Sequence, residues 1–222
     1  MERERSDQIA LETSVLRHYL EGKSFFKALE AWRFAEPFHP GTRKDGETPE
    51  FYHQISMANF ARTLEAGIQH PEATYAAIFL HDAVEDGDLT LKRVRDVFGE
   101  QICDAVDALS KVVNGKKRNP EAVAEAIADN AIASVVKGVD RANNQGSMLG
   151  VFSIEKQKEQ IDETENFILP ILKEARKNFP QQRPVYENVK HLLVREIKLF
   201  RAMHSEIEKV SEPEDSDPGM EP

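Results

Sequence analysis

Four side chains of the types that ligate metal ions fall within six consecutive positions of this sequence. They are His81, Asp82, Glu85 and Asp86. On a helix, Glu85 lies one turn from His81 and Asp82, and Asp86 lies one turn from Asp82, so three carboxylates repel one another. A bound divalent cation removes that repulsion. The segment therefore indicates a metal site, and the alternative is an acidic, solvated helix end.

Two further candidate ligands lie far away along the chain. His53 follows a polar loop and begins an amphipathic helical pattern, whereas Asp140 lies at the polar end of an apolar one. Taken singly, each has an ordinary explanation. A lone histidine in that position is more often a surface or core residue, and Asp140 could form a salt bridge with Arg141 or a neighbouring lysine.

The elements that must position these side chains are predicted to be helices. Apolar residues recur at helical spacing along most of the chain, and no segment alternates apolar and polar residues long enough to predict a sheet. Thr90, Asn119 before a proline, and Ser153 are candidate helix starts. The sequence therefore predicts an all-α fold.

The predicted helices form one domain over residues 1–210. Two long helices close it, one ending near Asn178 and one running from about Pro184 to Lys209. Residues 211–222 are acidic and rich in proline, so we expect them to be a disordered tail.

Composition limits the partners and the compartment. The chain has 222 residues and a net charge of −10, which repels nucleic-acid backbones and anionic membranes. A small anionic ligand remains compatible with that charge, because a local cluster of lysine and arginine can hold it. Cys103, the single cysteine, lies in an apolar stretch and is expected to be buried. With no transmembrane run and no signal peptide, these features favour a cytoplasmic protein.

In order along the chain, a histidine, an adjacent His-Asp pair and a distant aspartate resemble the ligand set of the HD superfamily. The sequence is more closely similar to the hydrolase domain of Rel/SpoT-type enzymes, which remove the 3′-pyrophosphate from (p)ppGpp. The similarity covers about residues 24–175. It is carried by Arg43–Glu47 before His53, by His81–Asp86, Thr90-Leu91, Phe98-Gly99 and Val106–Lys111, and by Val136–Arg141 with Asn144.

The resemblance implies one bound Mn²⁺. Its ligands would be His53, His81, Asp82 and Asp140. Two imidazoles and two carboxylates, with coordination positions left open, also suit Mg²⁺ or Fe²⁺. A closed zinc site would instead be built from thiolates. The resemblance further assigns Glu85 and Asp86, as catalytic residues, to orienting a water molecule and moving its proton.

The substrate contacts implied by the resemblance begin in the loop before His53. Arg43 can stack its guanidinium plane on a base and Lys44 supplies a compact positive charge, although both could simply be solvated. Asn144 could bond ribose or phosphate, or form a plain helix C-cap. Ser147 and Met148 are expected to form a wall of the pocket.

The sequence departs from the family's pattern near the expected substrate. Thr48 adds one residue before the proline of the loop, and Asn143 replaces a histidine that usually follows the aspartate ligand. Gly146 and Ser147 stand where an arginine and a threonine are usual. We expect these changes to affect which substrate is bound more than they affect the metal site.

The expected function is therefore hydrolysis of the 3′-pyrophosphate of (p)ppGpp, giving GDP or GTP and pyrophosphate. Two alternatives stay open. One is hydrolysis of another small nucleotide, such as the 2′-phosphate of NADPH, and the other is a non-catalytic HD module that binds a nucleotide. The sequence leaves the oligomeric state open.

Overall fold

Helices make up nearly all of the regular structure in the computed structural model, which describes residues 2–84, 89–113 and 115–211. None of the helices in these ranges is both long and apolar enough to cross a bilayer. The all-α prediction is confirmed. The helices are α1 Glu2–Gly22, α2 Phe26–Ala35, α3 Tyr52–Leu64, α4 Pro71–Leu80, α5 Leu91–Phe98, α6 Glu100–Leu109, α7 Pro120–Ala128, α8 Ala131–Gly146, α9 Ile154–Glu163, α10 Leu169–Asn178 and α11 Arg183–Ser211.

Three helix starts follow from side-chain caps that the sequence predicted. The Thr90 side chain accepts a hydrogen bond from the third backbone amide of α5, and Ser153 caps α9 in the same way. Asn119 accepts from two backbone amides of α7, behind a proline at the first helical position. These caps satisfy amides that have no partner within the helix.

The centre of the fold is α4, in which every residue from Ala73 to Leu80 is buried. A helix that is apolar on all sides must be surrounded, and α4 packs against α2, α3, α6 and α8. Its carboxyl end therefore brings His81 into the interior of the protein. Cys103 is also buried, on α6, as predicted.

The C-terminal half covers α8 from the other side. The first long helix predicted from the sequence consists of α9, a π-helical turn over Thr164–Ile168, and α10. The second is α11, which packs along α8. A short antiparallel hairpin pairs β1, Val112–Val113, with β2, Lys116–Lys117.

Gly138 lets α8 approach its two neighbours closely. A Cβ atom at this position would lie 3.0 Å from Cγ1 of Val189 and 3.1 Å from Cδ2 of Leu172. Both neighbours are buried and cannot move aside without disturbing the core.

We expect Gly138→Val to lower the free energy of unfolding by about 1–3 kcal/mol, because it overpacks this three-helix contact. Gly22→Val is the matched control, since a Cβ atom there meets nothing within 4 Å. Urea denaturation of both variants measures the difference. Equal stability of the two would contradict the close approach of α8.

Glu196 is a half-buried carboxyl at the contact between α8 and α11. It accepts a hydrogen bond from Nε2 of Gln145 at 3.2 Å. Burial, which that hydrogen bond offsets in part, raises the pKa of Glu196 to about 7. Between its ordinary pKa and pH 7 the folded state therefore holds more protons than the unfolded state, and stability falls as the pH rises through that window.

We expect Glu196→Gln to stabilise the protein at pH 8 by about 1 kcal/mol, allowing for solvent screening, and to have little effect at pH 5. Thermal unfolding at the two pH values tests this expectation. Glu206→Gln, on the exposed face of the same helix, is the control and should behave alike at both. If Glu196→Gln changes stability by the same amount at both pH values, ionisation of Glu196 does not destabilise the folded protein.

Candidate metal centre

His81 and Asp82 follow directly on the last residue of α4. His81 is 6% exposed, and its Nδ1 lies 2.8 Å from the carbonyl oxygen of Ile78. A carbonyl oxygen only accepts hydrogen bonds, so Nδ1 is the donor there and Nε2 is the ring nitrogen available to a metal ion. That Nε2 lies 3.2 Å from Oδ1 of Asp82.

His53 is the second residue of α3, and its Nδ1 also lies beside an acceptor oxygen. Its Nδ1 lies 2.7 Å from Oδ1 of Asn143. The amide nitrogen of Asn143 donates to Oγ of Ser56 at 2.7 Å, so both ends of the amide have partners. Nδ1 of His53 is therefore held by Asn143, and Nε2 is the ring nitrogen directed toward the other candidate ligands.

The four predicted ligands converge, although they come from three separate parts of the chain. The ring centroids of His53 and His81 are 5.6 Å apart. Ligand atoms of His53, His81 and Asp82 all lie within 4.8 Å of one another. Asp140 joins the group through His53, whose Nε2 lies 3.3 Å from its Oδ1.

This set of donors suits a divalent cation. Nε2 of His81 is buried and has no hydrogen-bond partner among the described residues. A buried polar atom without a partner is costly, and a cation bound by the lone pair would supply one. Two imidazole nitrogens with carboxylate oxygens are the donors that first-row divalent ions and zinc accept.

Asp140 is held by two further side chains of α8. Lys137 donates to its Oδ2 at 2.9 Å, and Asn144 donates to its Oδ1 at 2.6 Å. Burial alone would raise the pKa of Asp140, but the Lys137 ammonium holds it well below its ordinary value. Asp140 therefore stays a carboxylate in the interior.

Lys137 is a part of the site that the sequence reasoning did not single out. The salt bridge with a neighbouring lysine, weighed as the ordinary explanation for Asp140, is present together with the convergence on His53. Arg141 instead pairs with Glu163 of α9. The spacing of three residues between Lys137 and Asp140 on a helix was the signal available in the sequence.

A cavity of about 380 Å³ lies beside this cluster. The loop before α3 contributes Arg43 and Lys44 to its wall, and Nζ of Lys44 lies 4.6 Å from the ring centroid of Phe152. Nη2 of Arg43 lies 3.4 Å from Oδ1 of Asn144 and 3.5 Å from Oγ of Ser147. The cavity thus combines cations with an aromatic surface. Its full lining is Thr42, Arg43, Lys44, Asp45, Glu50, Asn144, Ser147, Val151, Phe152, Lys156 and Gln160.

Four of the five predicted substrate contacts line this cavity, and Met148 does not. Met148 is 1% exposed and packs with Ile161, Ile197 and Phe200 in the core. The prediction that Met148 forms a wall of the pocket is therefore corrected: the chain turns its side chain inward after α8 ends. Phe152, four residues later, provides the apolar surface.

The two predicted catalytic carboxyls, Glu85 and Asp86, lie outside the described residues. They follow closely on Asp82 in the sequence, and the description of the chain resumes at Leu89. Asn144, which could have been a plain helix cap, uses its side chain to bond Asp140.

A larger cavity, of about 600 Å³, lies between α1 and α2. Trp32, His18 and Glu21 are part of its wall. Among the described residues, the ligand atoms that come together as a group able to hold a metal ion are those of His53, His81 and Asp82, so the candidate metal centre lies by the smaller cavity.

Known proteins are similar in sequence to about two thirds of this chain. Residues 31–131 match the family model described as HD domain. Over 152 residues the chain is 32% identical to a probable guanosine-3′,5′-bis(diphosphate) 3′-pyrophosphohydrolase of Synechocystis sp., which covers 64% of this chain and 19% of that protein. Over 146 residues it is 28% identical to a guanosine-3′,5′-bis(diphosphate) 3′-pyrophosphohydrolase of Aquifex aeolicus, covering 64% of this chain and 20% of the other. The chain thus spans about one fifth of the length of these relatives.

A solved structure shares the fold. It is described as a metazoan ortholog of SpoT that hydrolyzes ppGpp and plays a role in starvation responses. The superposition has a TM-score of 0.56 at 21% identity and covers 73% of this chain and 93% of the other. The helical arrangement described above is therefore shared with that structure.

The hydrogen bond from His53 to Asn143 leads to a test of metal affinity. We expect Asn143→Ala to weaken binding of a divalent cation by about 10-fold to 100-fold, because His53 loses the partner that orients its ring and fixes its tautomer. Isothermal titration with Mn²⁺ measures the affinity. Asn59→Ala is the control, since Asn59 lies on the same helix as His53 but bonds a backbone oxygen of α1. Unchanged affinity in Asn143→Ala would remove Asn143 from the site.

Proposed function

From the HD-type fold of this chain and its HD-domain match over residues 31–131, we propose that the protein is a metal-dependent phosphohydrolase of (p)ppGpp. The reaction is hydrolysis of the 3′-pyrophosphate, which gives GDP or GTP and pyrophosphate. One observation carries the proposal. Two imidazoles, each with Nδ1 beside an acceptor oxygen, direct Nε2 toward two carboxylates, beside a cavity lined by Arg43 and Lys44.

In this proposal the ion is Mn²⁺, held by His53, His81, Asp82 and Asp140. When bound, such an ion polarises a phosphoryl oxygen and lowers the pKa of water. The chain prepares the ligands in advance: Lys137 and Asn144 hold the Asp140 carboxylate. Mixed nitrogen and oxygen donors without thiolate favour Mn²⁺ or a similar ion over a closed zinc site.

Substrate binding is assigned to the cationic wall of the cavity. Arg43 offers a planar guanidinium that can stack on a base, and Lys44 offers a point charge for phosphate. Asn144 and Ser147 lie within reach of Arg43 and can bond the ribose or a phosphate oxygen. These positive and polar groups let a protein of net charge −10 accept a small polyanion.

Glu85 and Asp86 are proposed to orient the attacking water and to accept its proton. This assignment rests on the resemblance to Rel/SpoT-type hydrolases and on their position three and four residues after Asp82. A carboxylate in that place can act as a general base for water attack on phosphorus.

The relatives support (p)ppGpp as the substrate, since two of them are named as 3′-pyrophosphohydrolases of that nucleotide. One observation favours a second candidate. Ser147, which stands where the family usually has a threonine, lines the cavity, and Gly146 before it replaces an arginine. A pocket changed in this way could select another small nucleotide, such as NADPH with its 2′-phosphate.

We also propose a cytoplasmic location. Cys103 is buried and unpaired, and a protein without a disulfide is suited to a reducing compartment. The expected partner is the small nucleotide itself.

We expect the purified protein with Mn²⁺ to release pyrophosphate and GDP from ppGpp. Asp82→Ala should lower kcat/KM by about 10³-fold or more, equal to about 4 kcal/mol, and should remove metal binding together with activity. Asp96→Ala, which removes an exposed aspartate paired with Lys92, is the control and should retain the wild-type rate.

A screen of ppGpp, pppGpp and NADPH under the same conditions decides the substrate by kcat/KM. Faster turnover of NADPH would replace the first candidate by the second. Metal binding without turnover of any nucleotide would instead favour a non-catalytic HD module.

A further inference from the structure

The loop that carries Arg43 and Lys44 is closed by its own backbone. The amide of Arg43 donates to the carbonyl of Thr48 at 2.8 Å, and the amide of Glu50 donates to the carbonyl of Gly41 at 2.9 Å. Gly46 occupies the turn between them with a φ of 75°. These contacts give the loop, residues 41–50, the shape of a short hairpin.

Asp45 organises the tip of this loop. Its Oδ1 accepts from the backbone amides of Glu47 at 3.0 Å and Thr48 at 2.9 Å. Its Oδ2 accepts from Oγ1 of Thr48 at 2.5 Å. Asp45 is therefore a fixed negative charge next in sequence to the two residues assigned to the nucleotide.

Arg5, at the start of α1, contacts the loop from outside. Its Nη2 lies 2.5 Å from Oδ2 of Asp45 and 2.5 Å from Oγ1 of Thr48. Its Nη1 donates to Oε2 of Glu47 at 2.9 Å. One guanidinium thus joins three side chains of the loop, more than a single surface ion pair provides.

The position of Arg5 is set by the rest of α1. Leu16 and Leu20 of α1 are fully buried in the main core. Glu12 of the same helix accepts a hydrogen bond from the hydroxyl of Tyr52 at 2.5 Å. Tyr52 immediately precedes His53, so α1 is attached both to the loop and to the helix that carries a candidate metal ligand.

The charges of the loop show what Arg5 contributes. Arg43 and Lys44 are opposed by Asp45, Glu47 and Glu50, which leaves the loop with one net negative charge. Arg5 brings the net charge to zero and forms ion pairs with two of the three carboxylates, those of Asp45 and Glu47. Without it, Asp45 and Glu47 are free to attract the side chains of Arg43 and Lys44 and to repel a polyanion.

We propose that Arg5 is a positioning residue for nucleotide recognition. It neutralises Asp45 and Glu47 and holds the loop so that Arg43 and Lys44 face the cavity. The part of this inference that concerns the nucleotide rests on the proposed function, whereas the ordering of the loop does not.

The test compares Arg5→Gln and Arg5→Lys with Arg17→Gln. Arg17 is the matched control, because it lies on α1 and forms an exposed pair with Glu21 that does not touch the loop. Hydrogen exchange at the amides of Arg43 and Glu50 reports the order of the loop without any substrate. Steady-state kinetics with ppGpp and titration with Mn²⁺ report recognition and the metal site separately.

In Arg5→Gln we expect exchange at both amides and the KM for ppGpp to rise about fivefold to tenfold, with kcat and Mn²⁺ affinity within twofold of wild type. Arg5→Lys should bring the KM most of the way back to the wild-type value, because it keeps the charge. It should restore part of the protection of the two amides from exchange. Arg17→Gln should match wild type in every measurement.

Unchanged exchange and unchanged KM in Arg5→Gln would overturn the proposal. So would a loss of kcat or of Mn²⁺ affinity, since the residue would then act on the metal site. If the wild-type protein does not hydrolyse ppGpp, the proposed function fails, and the exchange comparison alone then decides whether Arg5 orders the loop.

Discussion

The structure depends on keeping two imidazoles at one point in the interior, each with Nδ1 beside an acceptor oxygen and Nε2 directed toward the cluster. A neutral histidine has one proton to place, and an acceptor at Nδ1 decides where it goes. Nδ1 of His81 donates a hydrogen bond to the carbonyl of Ile78, within the last turn of α4. Nδ1 of His53 donates to Oδ1 of Asn143, on a different helix. The first arrangement is local, whereas the second requires α3 and α8 to be packed in register.

That packing explains why α4 is buried on every side. A polar cluster in the interior is stable only when rigid elements hold all of its members, because a charge without a partner there is costly. Asp140 illustrates the balance, since burial opposes its ionisation and the Lys137 ammonium, 2.9 Å away, restores it. The pair is itself buried, so neither partner can be lost without leaving a charge in the core. The helices packed around α4 therefore serve the site as well as the stability of the fold.

The sequence predicts the elements and the ligands better than it predicts their partners. Helical periodicity and the caps at Thr90, Asn119 and Ser153 depend on neighbouring residues, so they can be read locally. Asn143 could be noticed only as a departure from a family pattern, because its bond to His53 joins residues 90 positions apart. The direction of Met148 was mispredicted for a related reason. Its side chain packs against Ile161 and Ile197. The pattern of residue types does not predict the backbone turn after α8 that points it there.

Asn144 connects the two halves of the site. Its amide nitrogen donates to Asp140 at 2.6 Å, and its amide oxygen lies 3.4 Å from the guanidinium of Arg43. One side chain of α8 therefore contacts both a candidate metal ligand and the residue assigned to the nucleotide base. A change in the loop that moves Arg43 alters the second contact of Asn144, and a change at Asp140 alters the first. Because a single amide cannot rotate to favour one partner without losing the other, the position of the loop and the geometry of the ligand set are physically coupled.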